Sequence, residues 1–496
     1  MQVPQFYRWL LIPLLAIPAA AQQLSGGAAP LDVPQSLEQL LSAGSQSPFS
    51  GSVPSAKLTP GVLELSIDDA IDRGLKYNLG IVLSGQATAQ AKAERLKDLS
   101  NILPQINGSL RESAIKVNLA AQGLSTNLLG VPVPPALHFS NSEARLSMSE
   151  DLLDLHAIEN TRAATASVRA AGFTFNSARE TVTLAVAASY LLVISAESRV
   201  EAVTAELNTA KALYQLAEDR ESAGLTPNVD TLRARVELQV RRQNLIEANN
   251  NLAKQRITLL RVLGLPVHQT IKLVSRVPYK PLAKVSEEEA LQRALATRPD
   301  YLAAEQQVKA AELRKKAAEA ERLPTFGVSG DYGVLGTRPD NVFPTWTVNA
   351  GVKIPIFEGG RIEADIRQAE AVLQQRKAQR EDMRGRIEQD VADAILDVTA
   401  AGEQVEVARA TLDYAQQTLT QSQDRFSSGV TNNIEVIQAQ EALATANQQY
   451  IGSLYAHNIA KVLLARAIGA AEQTLRQVLG DDGLGSSVQV NPAAVK

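Results

Sequence analysis

A sixteen-residue stretch occurs twice in this chain, and the repeat limits what the sequence can fold into. RESAGLTPNVDTLRAR covers residues 220–235 and RFSSGVTNNIEVIQAQ covers residues 425–440, so the copies lie 205 positions apart. The similarity extends further, because SIDDAIDR from Ser66 matches SEEEALQR from Ser286. Both serines are predicted to cap a helix whose first turn carries acids, which oppose the helix dipole. Self-similarity of this length indicates one structural unit built twice.

The repeated stretch has the pattern of a turn between two helices. In each copy a long helical pattern ends at a Gly-x-Thr break, and a second helical pattern follows. Gly224 and Gly429 suit the left-handed residue that ends many helices. Thr226 and Thr431 suit the N-cap of the next helix, where a hydroxyl can accept from free amides. The sequence therefore predicts two helical hairpins with related tips.

A strand pattern precedes each hairpin. Leu-Pro occurs at 103–104 and again at 323–324, and after each the apolar period changes from 3.6 to 2. In the second half Phe326, Val328, Tyr332 and Val334 alternate with small or polar residues. Such alternation is typical of a strand with one apolar and one wet face. The sequence predicts two strand pairs, the first with a longer and more apolar connecting loop.

The helices of the hairpins are too long for a compact core. The second runs from 360 to 427, which at 1.5 Å per residue is roughly 100 Å. Its seam repeats every three or four residues with small and aliphatic side chains, as in a coiled coil. We divide the chain into a signal peptide (1–21), an N-terminal arm (22–64), repeat 1 (65–264), a linker (265–284), repeat 2 (285–470) and a flexible C-terminal tail (471–496). Within the repeats we predict strand pairs at 104–149 and 324–355, long helices at 155–222 and 360–427, and return helices at 227–264 and 432–469.

The chain begins with a predicted secretory signal, and its composition excludes several classes of function. The first 21 residues have the basic, apolar and small-residue sections of such a signal. The longest later apolar run, 182–194, is shorter than the roughly 20 residues of a spanning helix. With 49 basic and 53 acidic residues, no basic surface for nucleic acid is expected. The chain has no cysteine, so we expect no thiolate metal site and no lipid anchor on cysteine.

Four amphipathic strands cannot close a barrel, and open strand edges cannot lie in lipid. Oligomerisation would solve this, because three copies would supply twelve strands. The long helices fit the same solution, because helices packed side by side around a hollow cylinder would have both flanks buried. The predicted fold class is therefore mainly α with transmembrane β, in an internally duplicated protomer.

The chain resembles the outer-membrane efflux protein family, the TolC-like channels of tripartite export systems. The resemblance covers about residues 62–470 and rests on the duplication, the two Leu-Pro elements, both Gly-x-Thr tips and PIFEGG at 355–360. The first half lacks the glycines of that last element, so its bend into the long helix is expected to differ. The resemblance implies a homotrimer with a 12-stranded β-barrel in outer-membrane lipid of a diderm bacterium, continued by an α-helical tunnel in the periplasm.

The resemblance also implies the partners. A periplasmic adaptor protein and an inner-membrane pump of the RND or ABC type would deliver substrates, which leave passively, as in efflux or type I secretion. No catalytic residue and no cofactor is expected. Two other classes stay open, a periplasmic coiled-coil adaptor and a structural coiled-coil protein without a pore. The cargo and the pump class do not follow from the sequence.

In the family, the tip of the second hairpin carries an acidic ring that narrows the tunnel. The resemblance carries this role to Glu435 and Gln438, with Asp230 as the counterpart of Glu435 in the first hairpin. Gln438 stands where the family usually has Asp, so the ring is expected to be weaker or to use Glu441. The predicted aperture residues are Asp230, Ile434, Glu435, Gln438 and Glu441. Helix acids that only oppose the dipole remain the alternative interpretation of Asp230 and Glu435. The positions of the family's Tyr and Arg lock hold Phe426 and Thr431, so a lock would need Arg220, Arg233 or Arg425 with Asp230 or Glu435.

The tips are also where the resemblance places the adaptor. The predicted docking residues are Arg220, Gly224, Thr226, Arg425, Gly429 and Thr431; a purely structural role for the glycines and threonines is the alternative. Tyr332 and Trp346 are predicted to anchor the strands at a membrane interface. The four histidines (His138, His156, His268 and His457) have no ligand spacing, and each is interpreted as an ordinary polar residue.

Overall fold

The computed structural model describes residues 48–53, 60–119, 121, 127–128, 131–132, 136–275, 279–282 and 285–472. The predicted signal peptide, most of the arm and nearly all of the tail lie outside the described residues. A single 3-10 turn covers Pro48–Ser50. The helices are α1 (Ile67–Tyr77), α2 (Leu79–Ser100), α3 (Leu155–Ser222), α4 (Asn228–Val262), α5 (Glu287–Thr297), α6 (Pro299–Ala320), α7 (Arg361–Ser427) and α8 (Asn433–Ala467). The strands are β1 (Leu63–Leu65), β2 (Gln105–Asn118), β3 (Asn127–Leu128), β4 (Val131–Pro132), β5 (Ala136–Leu153), β6 (Ile271–Leu273), β7 (Thr325–Arg338) and β8 (Asn341–Lys353).

The first helical segment of each repeat is divided into two helices. In repeat 1 the chain leaves helical geometry at Asn78, whose side chain accepts from the Gly80 amide and caps α2. In repeat 2 the break falls at Arg298, because Pro299 disfavours helical geometry in the residue before it. Ser66 caps α1 by accepting from the Asp69 amide, as predicted. Ser286 occupies the same position before α5, but its side chain makes no capping hydrogen bond.

Four strands form one antiparallel sheet in the order β2-β5-β7-β8. The two strand pairs therefore join through β5 and β7, which unites the repeats in one sheet. Within this sheet β2 and β8 each have one edge without a partner strand among the described residues. One face carries apolar side chains that include Leu146, Tyr332 and Trp346. The opposite face carries polar groups such as Arg145, which forms an ion pair with Asp331 on the neighbouring strand.

The arm and the linker contain structure that periodicity did not predict. Strand β1 at the end of the arm pairs in parallel with β6 in the linker, with Leu63 opposite Ile271. Leu65 and Ile271 are buried in the largest apolar cluster, together with residues of α1, α3, α4 and α8. Three-residue strands are too short to show a period of 2, which is why sequence patterning missed them.

The two repeats pack in matching ways around the long helices. α3 packs against α2 and α4, as α7 packs against α6 and α8. In addition α3 packs against α6 and α8 of the second repeat, which holds the repeats together. The seam of α7 is buried at residues three and four apart, including Val398, Ala401, Val405 and Ala408. The four-stranded sheet and the long coiled-coil helices of the predicted fold class are confirmed.

One helix among the described residues, α3, contains a window long and apolar enough to cross a membrane by length and composition. The sequence analysis expected no such helix, because the longest apolar run that it counted, 182–194, is shorter than the roughly 20 residues of a spanning helix. In the folded chain 72% of that window is buried inside the protein. Its apolar side chains therefore form part of the core where α1, α4 and α8 pack.

Candidate functional site

The two hairpin tips have the same backbone turn. Gly224 and Gly429 have φ of 72° and 74°, the left-handed conformation predicted for both. In the first tip the amide of Leu225 donates to the Arg220 carbonyl over 2.9 Å, and the Gly224 amide donates to Glu221 over 2.9 Å. The second tip repeats both bonds at positions 205 residues later. This pattern is the Schellman motif, which satisfies the free carbonyls at the end of a helix.

The predicted threonine N-caps are wrong. α4 and α8 begin one residue later than expected, and their N-cap residues are Pro227 and Asn432. Asn432 accepts from the Ile434 amide, whereas Pro227 has no side chain that can cap. Thr431 instead donates to the Glu435 carboxylate. The Thr226 hydroxyl is buried with no hydrogen-bond partner among the described residues.

In the first tip the acid is held inside the hairpin. Asp230 is 7% exposed, and its carboxylate lies 3.2 Å from the Arg233 guanidinium. Next to it Asn228 donates to the Glu221 carboxylate over 2.6 Å. The pKa of Glu221 is lowered by its hydrogen bonds from Thr231 and Asn228. The carboxylate of Asp230 is therefore poorly placed to face a tunnel.

In the second tip the acid is more accessible. The Glu435 carboxylate lies 3.2 Å from Arg425 Nε and 3.4 Å from Ser422 Oγ, and it also accepts from Thr431. Its side chain is 40% exposed. The other predicted aperture residues, Ile434, Gln438 and Glu441, are all exposed on α8. Of the two tip acids, Glu435 is therefore the more accessible in the single chain.

Arg220 joins the two tips. Its guanidinium donates to the Phe426 carbonyl over 2.7 Å and to the Ser427 carbonyl over 2.5 Å. The guanidinium carbon also lies 4.8 Å from the centre of the Phe426 ring, in cation–π distance. A second bond closes the junction, since Asn433 donates to the Asp230 carbonyl over 3.0 Å. One hairpin thus satisfies the last carbonyls of the other.

Sequence reasoning found part of this arrangement. It offered arginine pairing with Asp230 or Glu435, and both pairs exist, but each lies within a single hairpin. It took Phe426 as unable to link the hairpins, whereas the Phe426 carbonyl and ring both contact Arg220. The carbonyl end of α7 was the sequence feature that could have indicated this contact, because a helix C-terminus attracts cations. The distance of 206 positions between the partners concealed it.

Above the first tip, α3 and α4 enclose an ion network. Arg241 is 6% exposed and lies 2.6 Å from Glu237 and 3.4 Å from Glu206. Asn447 of α8 also donates to the Glu206 carboxylate. Burial nevertheless raises the pKa of Glu206 above its usual value, with Arg199 and Arg241 acting in the opposite direction. Through Asn447 this network connects α8 to α3.

A second buried polar cluster lies at the junction of α5 and α6. Arg298 is 7% exposed and pairs with Asp300 at 2.7 Å and with Asp390 at 2.9 Å. Nearby, burial and the charge of Asp300 raise the pKa of Glu180 to about 7. Sequence analysis missed this cluster, because its members come from three distant segments.

The remaining candidates have ordinary structural surroundings. Tyr332 and Trp346 are cross-strand partners on the apolar face of the sheet, both exposed. His156 lies 3.3 Å from Glu321, and the ring of His457 lies 5.0 Å from that of Tyr279. Within the described ranges, no group of three or more histidine or acidic side chains could hold a metal.

Comparisons with known proteins identify the family. The model of the family described as outer membrane efflux protein matches residues 85–265 and 290–470. The probable outer membrane lipoprotein SilC of Salmonella typhimurium is 27% identical over 264 residues, which are 52% of this chain and 56% of SilC. The pyoverdine export outer membrane protein OpmQ of Pseudomonas aeruginosa is 24% identical over 428 residues, 83% of this chain and 87% of OpmQ. The crystal structure of the Campylobacter jejuni CmeC outer membrane channel has a TM-score of 0.71 at 18% identity, covering 82% of this chain and 86% of CmeC.

Proposed function

Because this chain belongs to the outer membrane efflux protein family, we propose that three copies form one exit duct across the outer membrane and the periplasm. The four-stranded sheet with unpaired outer edges carries this proposal. An open sheet with one apolar face leaves backbone amides and carbonyls unpaired in lipid, which costs several kcal/mol per group. If three sheets join edge to edge, with β8 of one copy against β2 of the next, all of these backbone groups are paired.

The polar face of the sheet would then line the pore. Arg145, Glu143 and Asp331 form an ion cluster on this face, so charge stays in water while the apolar face meets lipid. Tyr332 and Trp346 lie on the lipid side, where amphipathic rings favour the interface. The long helices α3 and α7 continue the wall away from the membrane as a tunnel.

We place the periplasmic mouth of the tunnel at the two tips. Three copies of Glu435 around a narrow axis would make a negative focus that favours cations. Arg220, which donates to the last carbonyls of α7, would hold the hairpins of each copy together at this mouth. Release of that contact would be one step in opening.

The same tips are the proposed docking surface for a periplasmic adaptor. Leu225 and Val430, at the summit of the turns, are 73% and 66% exposed, and Gly224 and Gly429 leave open space around them. Two apolar side chains raised on glycine turns offer a surface into which another hairpin could fit. An inner-membrane pump would supply the energy, because the duct has only passive elements in this proposal.

The cargo is a separate question. The name of OpmQ refers to pyoverdine export, and the name of SilC refers to no cargo. Cargo is selected upstream of a passive duct, so we propose no substrate class from the tips or the sheet. Catalysis has no part in the proposal, since the family is one of transport proteins.

Detergent extraction followed by native mass measurement tests the assembly. The proposed duct predicts membrane-fraction particles with the mass of three chains, and ion conductance when they are inserted in planar bilayers. A monomer that stays in the soluble fraction would instead support the coiled-coil adaptor or structural protein. A membrane-bound trimer without conductance would contradict the pore while leaving the fold intact.

A further inference from the structure

The apolar face of the four-stranded sheet contains a groove. Its volume is about 530 Å³, which lies within the range of ligand pockets. Gly330 forms the floor, because it has no side chain and its register partners on either side are Met148 on β5 and Val348 on β8. The cross-strand pair Tyr332 and Trp346 lines the end that is nearer the turn between β7 and β8. The groove is therefore a gap in the apolar face where a glycine lies between large side chains.

A carboxylate lies at the other end of the groove. Glu150 is half-buried there, and its neighbours across the strands are the apolar Val328 and Ala350. Asp331 also lines the groove, but its carboxylate pairs with Arg145 on the opposite face of the sheet. The Glu150 side chain has no hydrogen bond or ion pair with another of the residues that the structure describes. The groove thus combines an apolar length with one unpaired acid.

The acid lies at the helix end of the sheet. β5 ends at Leu153, and α3 begins at Leu155. From Glu150 to Leu146, the register partner of Tyr332, the distance along the strand is roughly 14 Å. In the proposed duct the helices lie in the periplasm. Glu150 would therefore lie near the headgroups of the periplasmic leaflet, and the groove would lead from it into the acyl chains.

The chemistry of the groove restricts what can occupy it. An ionised side chain on a surface that faces lipid is costly without a partner, and such residues commonly mark binding sites. A primary ammonium group offers a positive charge and three N–H donors, which a carboxylate can accept. A quaternary ammonium group has the charge but no N–H donor, and an anionic headgroup would be repelled. The carboxylate therefore favours a headgroup that carries a primary amine.

From these observations we infer that the groove binds one phospholipid with a primary amine in its headgroup. The ammonium group donates to the Glu150 carboxylate. One acyl chain lies over Gly330, between Met148 and Val348, and reaches Tyr332 and Trp346. This inference rests on the proposed duct, because it requires the apolar face of the sheet to meet lipid.

Fluorescence of Trp346 reports the lipid beside it. The chain has two tryptophans, so Trp9→Phe leaves Trp346 as the only one. This protein is placed in phosphatidylcholine vesicles that contain a brominated lipid, whose bromine quenches tryptophan. The bromine is carried on an acyl chain of either phosphatidylethanolamine or phosphatidylcholine. We expect phosphatidylethanolamine to associate with the site roughly threefold more strongly, an effect of the size of an exposed ion pair. Glu150→Gln should make the association of the two lipids equal.

Glu112→Gln is the matched control. Glu112 lies on the same face of the sheet, on β2 and outside the groove, so its change should leave the lipid preference intact. Equal quenching by the two lipids before any change at Glu150 would overturn the lipid site and leave the proposed duct standing. The same conclusion would follow from a preference that survives Glu150→Gln, or from one that both glutamine variants lose. If neither brominated lipid quenches Trp346, the apolar face does not meet lipid, and the proposed duct and the lipid site are both overturned.

Discussion

The two tips have one backbone turn but two different electrostatic roles. Arg220 and Arg425 occupy equivalent positions, and each provides the carbonyl of a Schellman motif. Arg220 reaches across to the carbonyls that end α7, whereas Arg425 turns back to Glu435 in its own hairpin. The turn is set by local sequence, while the partner of the arginine is set by the helix that lies beside it.

The same divergence continues above the tips. Equivalent to the buried Glu206, Glu237 and Arg241 of the first hairpin are Thr411, Ala442 and Ala446 in the second. A buried ion network adds little net stability, because the desolvation of its charges offsets their attraction. In the first hairpin the network lies between α3 and α4, with Asn447 of α8 bonded to Glu206. The equivalent position of Glu206 in the second hairpin, Thr411, is exposed.

The largest expected effect comes from charge at the summit of the tips. Aspartate tolerates the left-handed conformation, so Gly429→Asp should keep the turn and place a negative charge on the proposed docking surface. We expect export to be abolished while the trimer still assembles, as measured by cargo efflux and native mass. Gly429→Asn is the matched neutral control and should retain export.

Gly224→Asp makes the same change in the first tip and allows the two tips to be compared. An equal loss of export in the Gly224→Asp and Gly429→Asp variants would mean that an adaptor contacts both hairpins. A loss of export in only one variant would restrict docking to that hairpin. If the trimer itself disappears in either aspartate variant, the glycines have only the structural role of ending a helix.

The next effect tests the bridge between hairpins. Arg220→Ala removes two charge-assisted hydrogen bonds, one to the Ser427 carbonyl and one to the Phe426 carbonyl, which still accepts from the Gly429 amide. The loss should weaken the tip by about 1.5–3 kcal/mol. Arg425→Ala removes an exposed ion pair and should cost less than about 1 kcal/mol. Hydrogen exchange of the Gly429 and Val430 amides measures the difference, with faster exchange in the Arg220 variant. Equal exchange in the two variants would contradict the asymmetry.

How far the sequence alone predicts this molecule depends on the range of the interactions. The long helices and the four strands follow from apolar periods that repeat over many residues, and the left-handed glycines follow from local turn chemistry. The break at Asn78 and the strand Ile271–Leu273 carry no period long enough to detect. The sequence analysis chose Thr431 as the second N-cap, but Asn432 beside it can cap equally well and is the residue that does so.

The sequence predicted which part of the chain forms the candidate site but not which of its residues contact each other. The acids Asp230 and Glu435 look equivalent in sequence, yet only one is buried with its carboxylate against an arginine three residues away. What separates them is packing between hairpins that are 205 positions apart. Asn433, which donates to the Asp230 carbonyl, is one of the contacts that no local pattern shows.

A third, smaller effect concerns Gln440. This side chain is 5% exposed, and neither its amide nitrogen nor its oxygen has a hydrogen-bond partner among the described residues. An unsatisfied buried polar group costs about 1–3 kcal/mol, so Gln440→Leu should raise the thermal unfolding midpoint of the helical region. The equivalent residue Arg235 is exposed, and Arg235→Leu should change stability by less than about 0.5 kcal/mol. A lower midpoint for Gln440→Leu would show that the amide is satisfied in the assembled protein.

The smallest expected effect separates the two acids by ion selectivity. Glu435→Ala removes the accessible carboxylate and frees Arg425, so the proposed mouth should lose cation preference or gain conductance in planar bilayers. Asp230→Ala should leave the reversal potential in a salt gradient unchanged, because that carboxylate is buried beside Arg233. Gln438→Ala is the control, an exposed neutral side chain on the same helix turn as Glu435. If conductance and ion selectivity do not change in Glu435→Ala, this acid is not part of the aperture. Glu435 would then act only within its hairpin, as the partner of Arg425 and Thr431. A shift for Asp230→Ala alone would mean that assembly exposes the first tip and buries the second, the reverse of what the single chain shows.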